Sequence, residues 1–199
     1  MRILGAGDFH GDTSPVEKLA AKAEKEEANL VLLCGDLMDD DSAENILQPF
    51  KDKRQKVLLL NGNHDSPAAA DFLATINQAK HLHGYSARYE DVGIFGCGSA
   101  NCGIHGLRED DIHETLKKAH EPISYLTKKL MATHVHPKYS RMAELSKENW
   151  GSVGVSKALR ELEPDVLLCS HLHEAEGLEE TIGKTRVINV GKEGKIIDL

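Results

Sequence analysis

Residues 30–36 read Leu30-Val31-Leu32-Leu33-Cys34-Gly35-Asp36, five apolar residues in a row, then a glycine, then a carboxylate. A run of this length is short for a helix, and its lack of polar alternation marks a strand covered on both faces, as in a parallel sheet. Similar runs recur at Ile3-Leu4, Val57-Leu58-Leu59-Leu60, Val92-Gly93-Ile94-Phe95, Leu130-Met131-Ala132 and Val166-Leu167-Leu168-Cys169. Helical patterns separate them. Ser14 as N-cap, Pro15 at the first helical position and Glu17 predict a helix over 15–27. Ser66-Pro67 opens a second in the same way, and Ser156 begins a third that Pro164 ends. The order β-α-β-α-β belongs to the α/β class. Between Gly177 and Leu199, Gly183-Lys184 and the 191–194 turn separate short β-branched runs that read as antiparallel strands, so a purely parallel sheet is not expected.

The chain has 199 residues, and no repeat or long Pro/Gly/Ser linker divides it, so one domain over 1–199 is expected. With 40% hydrophobic and 28% charged residues, disordered and fibrous classes are excluded. No apolar run approaches the roughly 18 residues of a membrane span, and the apolar stretch after Met1-Arg2 is too short for a signal-peptide core. The expected location is cytoplasmic, with no membrane partner. A net charge of −8 argues against nucleic acid as a partner, because phosphate binding needs local cation excess. Cys34, Cys97, Cys102 and Cys169 show no CxxC spacing and read as buried, reduced thiols.

Metal-capable residues follow five of the strands: Asp8 and His10, Asp36, Asn63-His64-Asp65, His134 and His136, and His171 and His173. Ligands of open α/β sheets bind outside the carboxyl ends of the strands, so these loops are expected to converge on one crevice. The i, i+2 pairs Asp8/His10 and His171/His173 would point to the same side of an extended segment. Carboxylate, imidazole and amide together suit manganese, iron, zinc or nickel better than magnesium. Gly35 and Gly62 allow tight turns immediately after strands. Among the other histidines, His136 reads as a supporting or substrate-facing group, His105 and His113 as surface residues, and His81 and His83 as loop residues. The 96–101 segment is given no catalytic role, and 137–154 reads equally as a lid or as an irregular crossover.

The blocks Asp8-Phe9-His10, Gly35-Asp36-Leu37-Met38-Asp39, Gly62-Asn63-His64-Asp65, Thr133-His134 and Ser170-His171-Leu172-His173 resemble, in order and spacing, the calcineurin-like metallophosphoesterases, here a small prokaryotic phosphodiesterase type. The resemblance implies a four-layer α/β/β/α sandwich with two mixed β-sheets and two divalent metal ions per chain, manganese first and iron, zinc or nickel as alternatives. It implies Asp8, His10, Asp36 and His173 as ligands of one ion and Asp36, Asn63, His134 and His171 as ligands of the other, with Asp36 bridging. It further implies attack on a phosphate ester by a metal-bridging hydroxide, with His64 as general acid or phosphate contact, oriented by Asp39.

The departures concern the substrate. Protein phosphatases of that superfamily carry arginines near the second and third blocks, whereas Asp40-Asp41 and Asp65-Ser66 stand here. Without guanidinium clamps, and with an acidic run at the mouth, a monoanionic phosphodiester is the better expected substrate than a dianionic monoester. A phosphomonoesterase or nucleotidase, and a non-catalytic metal-binding scaffold, stand as alternatives. The expected partner is a small-molecule phosphate ester, and a homo-oligomer is left open. Ser170 stands where the family usually has glycine, which is expected to shift the backbone before His171.

Overall fold

The computed structural model describes residues 1–38, 45–146 and 150–199. Asp39, Asp40 and Asp41 lie outside the described residues, and so does the expected contact of Asp39 with His64.

The apolar runs become the central strands of two sheets. The first joins β1 (Arg2–Ala6), β2 (Leu30–Cys34), β3 (Val57–Leu60), β4 (Lys80–His81) and β11 (Lys195–Asp198) in the order β11-β1-β2-β3-β4. Only the β1–β11 pairing is antiparallel. The second joins β5 (Ser86–Tyr89), β6 (Val92–Cys97), β7 (Lys128–Thr133), β8 (Val166–Cys169), β9 (Glu179–Ile182) and β10 (Thr185–Asn189) in the order β5-β6-β7-β8-β10-β9. Its two outer pairings are antiparallel and its inner ones parallel.

Three apolar layers explain why the strand sequences do not alternate. Between the sheets pack Ile3, Leu30, Leu32, Leu58 and Leu60 from one side and Val92, Ile94, Leu130, Val166 and Leu168 from the other. The opposite faces carry Leu4, Val31, Leu33 and Leu59, which meet α1 (Ser14–Lys25), α2 (Gln48–Asp52) and α3 (Pro67–Ile76). On the far side Phe95, Met131, Leu167 and Val187 meet α4 (Glu109–His120) and α6 (Val153–Leu162). The short helix α5 (Arg141–Leu145) joins that layer through Met142. The result is the four-layer α/β/β/α sandwich with two mixed sheets.

The helix starts differ in detail from the sequence reading. Thr13, not Ser14, precedes α1 and makes no side-chain cap; the Ser14 N–H donates instead to Asp12 Oδ1 at 2.9 Å. Ser66 caps α3 as expected, accepting from the Ala69 N–H at 3.1 Å. α6 begins one turn before Ser156, because Ser152 is its cap and the Glu109 carboxylate accepts from the Gly154 N–H at 2.7 Å. Among the described residues, no helix is long and apolar enough to cross a membrane.

Candidate metal centre

The loops after β1, β2, β3, β7 and β8 meet at the carboxyl edge shared by the two sheets. Their backbones are tied to one another: the Asp8 N–H donates to the Gly35 carbonyl, the His10 N–H to the Asp36 carbonyl and the Ser170 N–H to the His134 carbonyl, each at 2.9 Å. This edge carries unusual backbone. Asp8, His10, Asp36, Ser99 and His171 all have φ between 47° and 71°, in the left-handed region. Such residues cost on the order of 1 kcal/mol each and persist where surrounding contacts over-determine them. The Asp8/His10 pair is therefore brought together by left-handed turns and not by an extended pleat, and the backbone at His171 is likewise left-handed. Gly62 is required by the same crowding, since a Cβ there would overlap the Asp36 carboxylate.

Two groups of ligand atoms result. Asp8, His10 and His173 form one, and Asp36, His134 and His171 the other; a third set, His10, Asp36 and His64, links them. His10 Nε2 lies 3.3 Å from His173 Nε2 and 3.6 Å from Asp36 Oδ2. On the other side of Asp36, His134 Nε2 is 3.3 Å from Oδ2, 3.0 Å from Asn63 Oδ1 and 3.2 Å from His171 Nδ1. The seven expected ligand residues are thus within one constellation. His171 and His173, two residues apart, fall into different groups.

The donor set fits a divalent cation. Asp8 Oδ2 is buried and has no hydrogen-bond partner, while its Oδ1 accepts from the His171 N–H at 3.1 Å. A buried carboxylate oxygen without a partner is costly unless a cation faces it. His134 Nδ1 faces the Cys34 carbonyl at 2.8 Å, which turns Nε2 toward Asp36 and Asn63. An outward N–H held this way fixes the tautomer of a metal-binding imidazole. Ser170 joins this support, its Oγ donating to the same carbonyl at 2.7 Å and lying 3.1 Å from His134 Nδ1.

Burial would lower the His134 imidazole, but the hydrogen bond and charge of Asp36, with the charge of Asp8, outweigh it and lift the group to about 9. Burial, reinforced by His134 and His136, drives His171 down to about 3. Burial likewise takes His136 down to about 4; the Trp150 backbone offsets part of this, although neither ring nitrogen makes a hydrogen bond of normal geometry. His136 and His171 are therefore neutral in the fold at neutral pH, whereas the unfolded chain protonates them near 6.5. With folded values depressed, the stability they contribute is complete above about pH 6.5 and is lost as pH falls toward 4 and then 3. His134 acts with the opposite sign, contributing fully below 6.5 and losing that contribution as pH rises through 9. The urea midpoint of the metal-free protein is expected to peak near neutrality and fall on both flanks; a flat profile between pH 6.5 and 4 would contradict the assignment.

His64 is exposed at the mouth, its ring 5.1 Å from that of His10 and its backbone N–H donating to Asp36 Oδ1 at 3.0 Å. Above it opens a cleft of about 520 Å³, bounded by Cys102, Gly103, Ile104 and Trp150 as well as the centre.

Several residues have roles that their sequence context conceals. Asp65 is buried, and its carboxylate accepts from the N–H groups of Leu37, Met38 and Gly62 at 3.0, 2.9 and 2.9 Å, pinning the Asp36 and Asn63 loops together. His81 lies in β4 and not in a loop; its ring sits 2.7 Å from Asp71 Oδ1 and 3.1 Å from Asn61 Oδ1, behind the Asn63 turn. His113 is buried, not superficial, and pairs with Glu161 at 2.8 Å. Cys34, Cys97 and Cys169 are buried and free, but Cys102 is exposed, its Sγ 3.9 Å from His171 Nε2. The described part of 137–154 is in part a crossover containing α5 and in part, through Trp150, a wall of the cleft; residues 147–149 lie outside the described residues.

Residues 1–175 match the family model described as calcineurin-like phosphoesterase. No curated protein matches the chain. Among solved structures, TT1561 of Thermus thermophilus is similar at a TM-score of 0.77 and 18% identity, over 96% of this chain and 90% of that one. A dimetal phosphatase from Danio rerio gives 0.64 and 12%, over 96% and 87%. A novel archaeal phosphodiesterase gives 0.58 and 17%, over the whole of both chains. At these identities the likeness is one of fold.

Proposed function

The chain belongs to the calcineurin-like phosphoesterase family, and from that premise we propose that it is a phosphodiesterase dependent on two divalent ions, manganese being the preferred pair. The observation that carries this reading is the pair of ligand groups linked through His10 and Asp36, with the buried Asp8 Oδ2, which makes no hydrogen bond among the described residues, inside the first. Asp8, His10, Asp36 and His173 would hold one ion, and Asp36, Asn63, His134 and His171 the other. When bound, such a pair supplies Lewis-acid polarisation of the phosphoryl group and an acidified water.

The remaining work falls to the chain. The single domain places the five loops on rigid strand ends, so the donors are positioned before substrate arrives. Cys34 and Ser170 hold the His134 ring, and Asp65 holds the turns on either side. His64, exposed at the mouth, would give a proton to the leaving oxygen, a task suited to an imidazole. The preference for diesters is supported by the cleft: among its described lining residues there is no lysine or arginine to pair a second phosphoryl charge.

The test compares bis(p-nitrophenyl) phosphate with p-nitrophenyl phosphate on manganese-reconstituted protein. The diester is expected to show a kcat/KM at least about tenfold higher, the loss of one charge pair being worth about 1.4 kcal/mol or more. A faster monoester would replace the diesterase reading with a phosphomonoesterase.

A further inference from the structure

We propose that the cleft beside the centre is a seat for a flat aromatic group on the ester, an aryl or nucleobase ring held between Trp150 and Ile104. The proposal deepens the phosphodiesterase reading and rests on it.

Trp150 and the turn that carries Ile104 both adjoin residues of the centre. The Trp150 ring lies 5.9 Å from the ring of His171, tilted by 30°, so the indole continues the imidazole wall outward. On the other side the 102–104 turn rests on Asn63: Gly103 has φ 82°, and a Cβ there would lie 2.9 Å from Asn63 Nδ2. Ile104, the next residue, lies at the rim of the cleft and is 88% exposed. Trp150 is 45% exposed on the same cleft. Apolar side chains left open together in a concave site are the usual lining of a ligand pocket, with polar groups confined to the point of attachment.

The chemistry of the occupant follows from what surrounds it. An indole face favours offset stacking with another ring, which an alkyl group cannot reproduce. The volume of about 520 Å³ admits a ring as well as the phosphoryl group. With no lysine or arginine among the described lining residues, an additional phosphate or carboxylate on that arm would be unpaired. An uncharged planar ring is the arm that uses both apolar walls.

The chain contains a single tryptophan, so its intrinsic emission reports on Trp150 alone. Zinc-reconstituted protein titrated with diphenyl phosphate is expected to show a saturating change in that emission, and with dimethyl phosphate none at the same concentrations. Kinetically, p-nitrophenyl phenyl phosphate and thymidine p-nitrophenyl phosphate are compared with methyl p-nitrophenyl phosphate, which shares their leaving group. At least one ester with a ring on its non-leaving arm is expected to exceed the methyl ester about tenfold in kcat/KM, mainly through KM; which one does so separates an aryl from a nucleobase seat. Trp150→Ala should remove most of that advantage, lowering kcat/KM for the favoured ester several-fold more than for the methyl ester; Trp150→Phe should retain the advantage, and Ile104→Asn should weaken it. Equal use of all three diesters, or equal loss on all of them in Trp150→Ala, would overturn the proposal. Hydrolysis of p-nitrophenyl phosphate with none of the diesters turned over would instead overturn the phosphodiesterase reading.

Discussion

Asp36→Ala is expected to lose both ions and at least about a thousandfold in turnover, while the protein stays folded. Asp36 is the only residue common to the set with His134 and His171 and the set with His10 and His64. Its Oδ2 faces His134 at 3.3 Å and His10 at 3.6 Å, and its Oδ1 accepts from the His64 N–H. On the proposed assignment one carboxylate would serve both halves of the centre, offsetting the repulsion between two cations in a way that no imidazole or amide can. Removing a single preorganised electrostatic contact typically costs 10²- to 10³-fold, and here the contact organises the whole donor set. Burial alone would raise the Asp36 carboxyl, but His134, the His64 N–H and His10 hold it well below the usual carboxylate range. It is therefore ionised throughout the working pH range. Metal content by mass spectrometry, together with turnover of bis(p-nitrophenyl) phosphate, checks the expectation; retention of both ions by Asp36→Ala would contradict it. Asp36→Asn, of nearly the same shape, separates the loss of charge from the loss of packing.

The second large effect is on stability. Asp65→Ala is expected to lower the unfolding free energy of the metal-free protein by about 3–5 kcal/mol. It leaves three buried backbone donors, those of Leu37, Met38 and Gly62, without their acceptor, and each such orphan costs about 1–3 kcal/mol. The donors flank Asp36 and Asn63, so the same substitution should loosen the centre and reduce metal affinity. Asp65→Asn, which keeps one acceptor oxygen, should fall between. Urea unfolding measures the effect, and a loss below about 1 kcal/mol would show that the turns are held by something else.

These two residues also show where the sequence is transparent. The strand core is legible because Leu30–Cys34 and Val166–Cys169 are apolar without interruption, and two-faced burial has no other signature. Asp36 is legible only together with the other blocks, because a carboxylate after Leu33-Cys34-Gly35 taken alone would suit a turn or a cap, whereas five such polar blocks after five strands have no common structural use. Asp65 is not, because a carboxylate beside Asn63-His64 looks like one more ligand until its three N–H donors are seen. Edge strands β4 and β5 are hidden for the opposite reason: Lys80–His81 and Ser86–Tyr89 are only partly covered, so their residues carry no apolar pattern. His113 reads as a surface group on α4 because its partner, Glu161, lies on another helix far along the chain. Cys102 looks like the other three thiols because a residue's type does not say which side of a turn it occupies.

Of the 11 histidines, His10, His134, His171 and His173 are proposed as ligands and His64 as the acid. The formal charge of −8 changes meaning too, since two divalent ions would bring it to about −4 before any bound anion is counted. On that reading, part of the acid excess would be balanced by the cations.

The most direct test is to titrate manganese into metal-free protein while following both bound ions per chain and hydrolysis of bis(p-nitrophenyl) phosphate. The two-ion reading predicts that binding saturates at two ions per chain, that turnover rises only as the second site fills, and that His134→Ala binds one ion and is inactive. Saturation at one ion with full turnover, or full activity in His134→Ala, would contradict it.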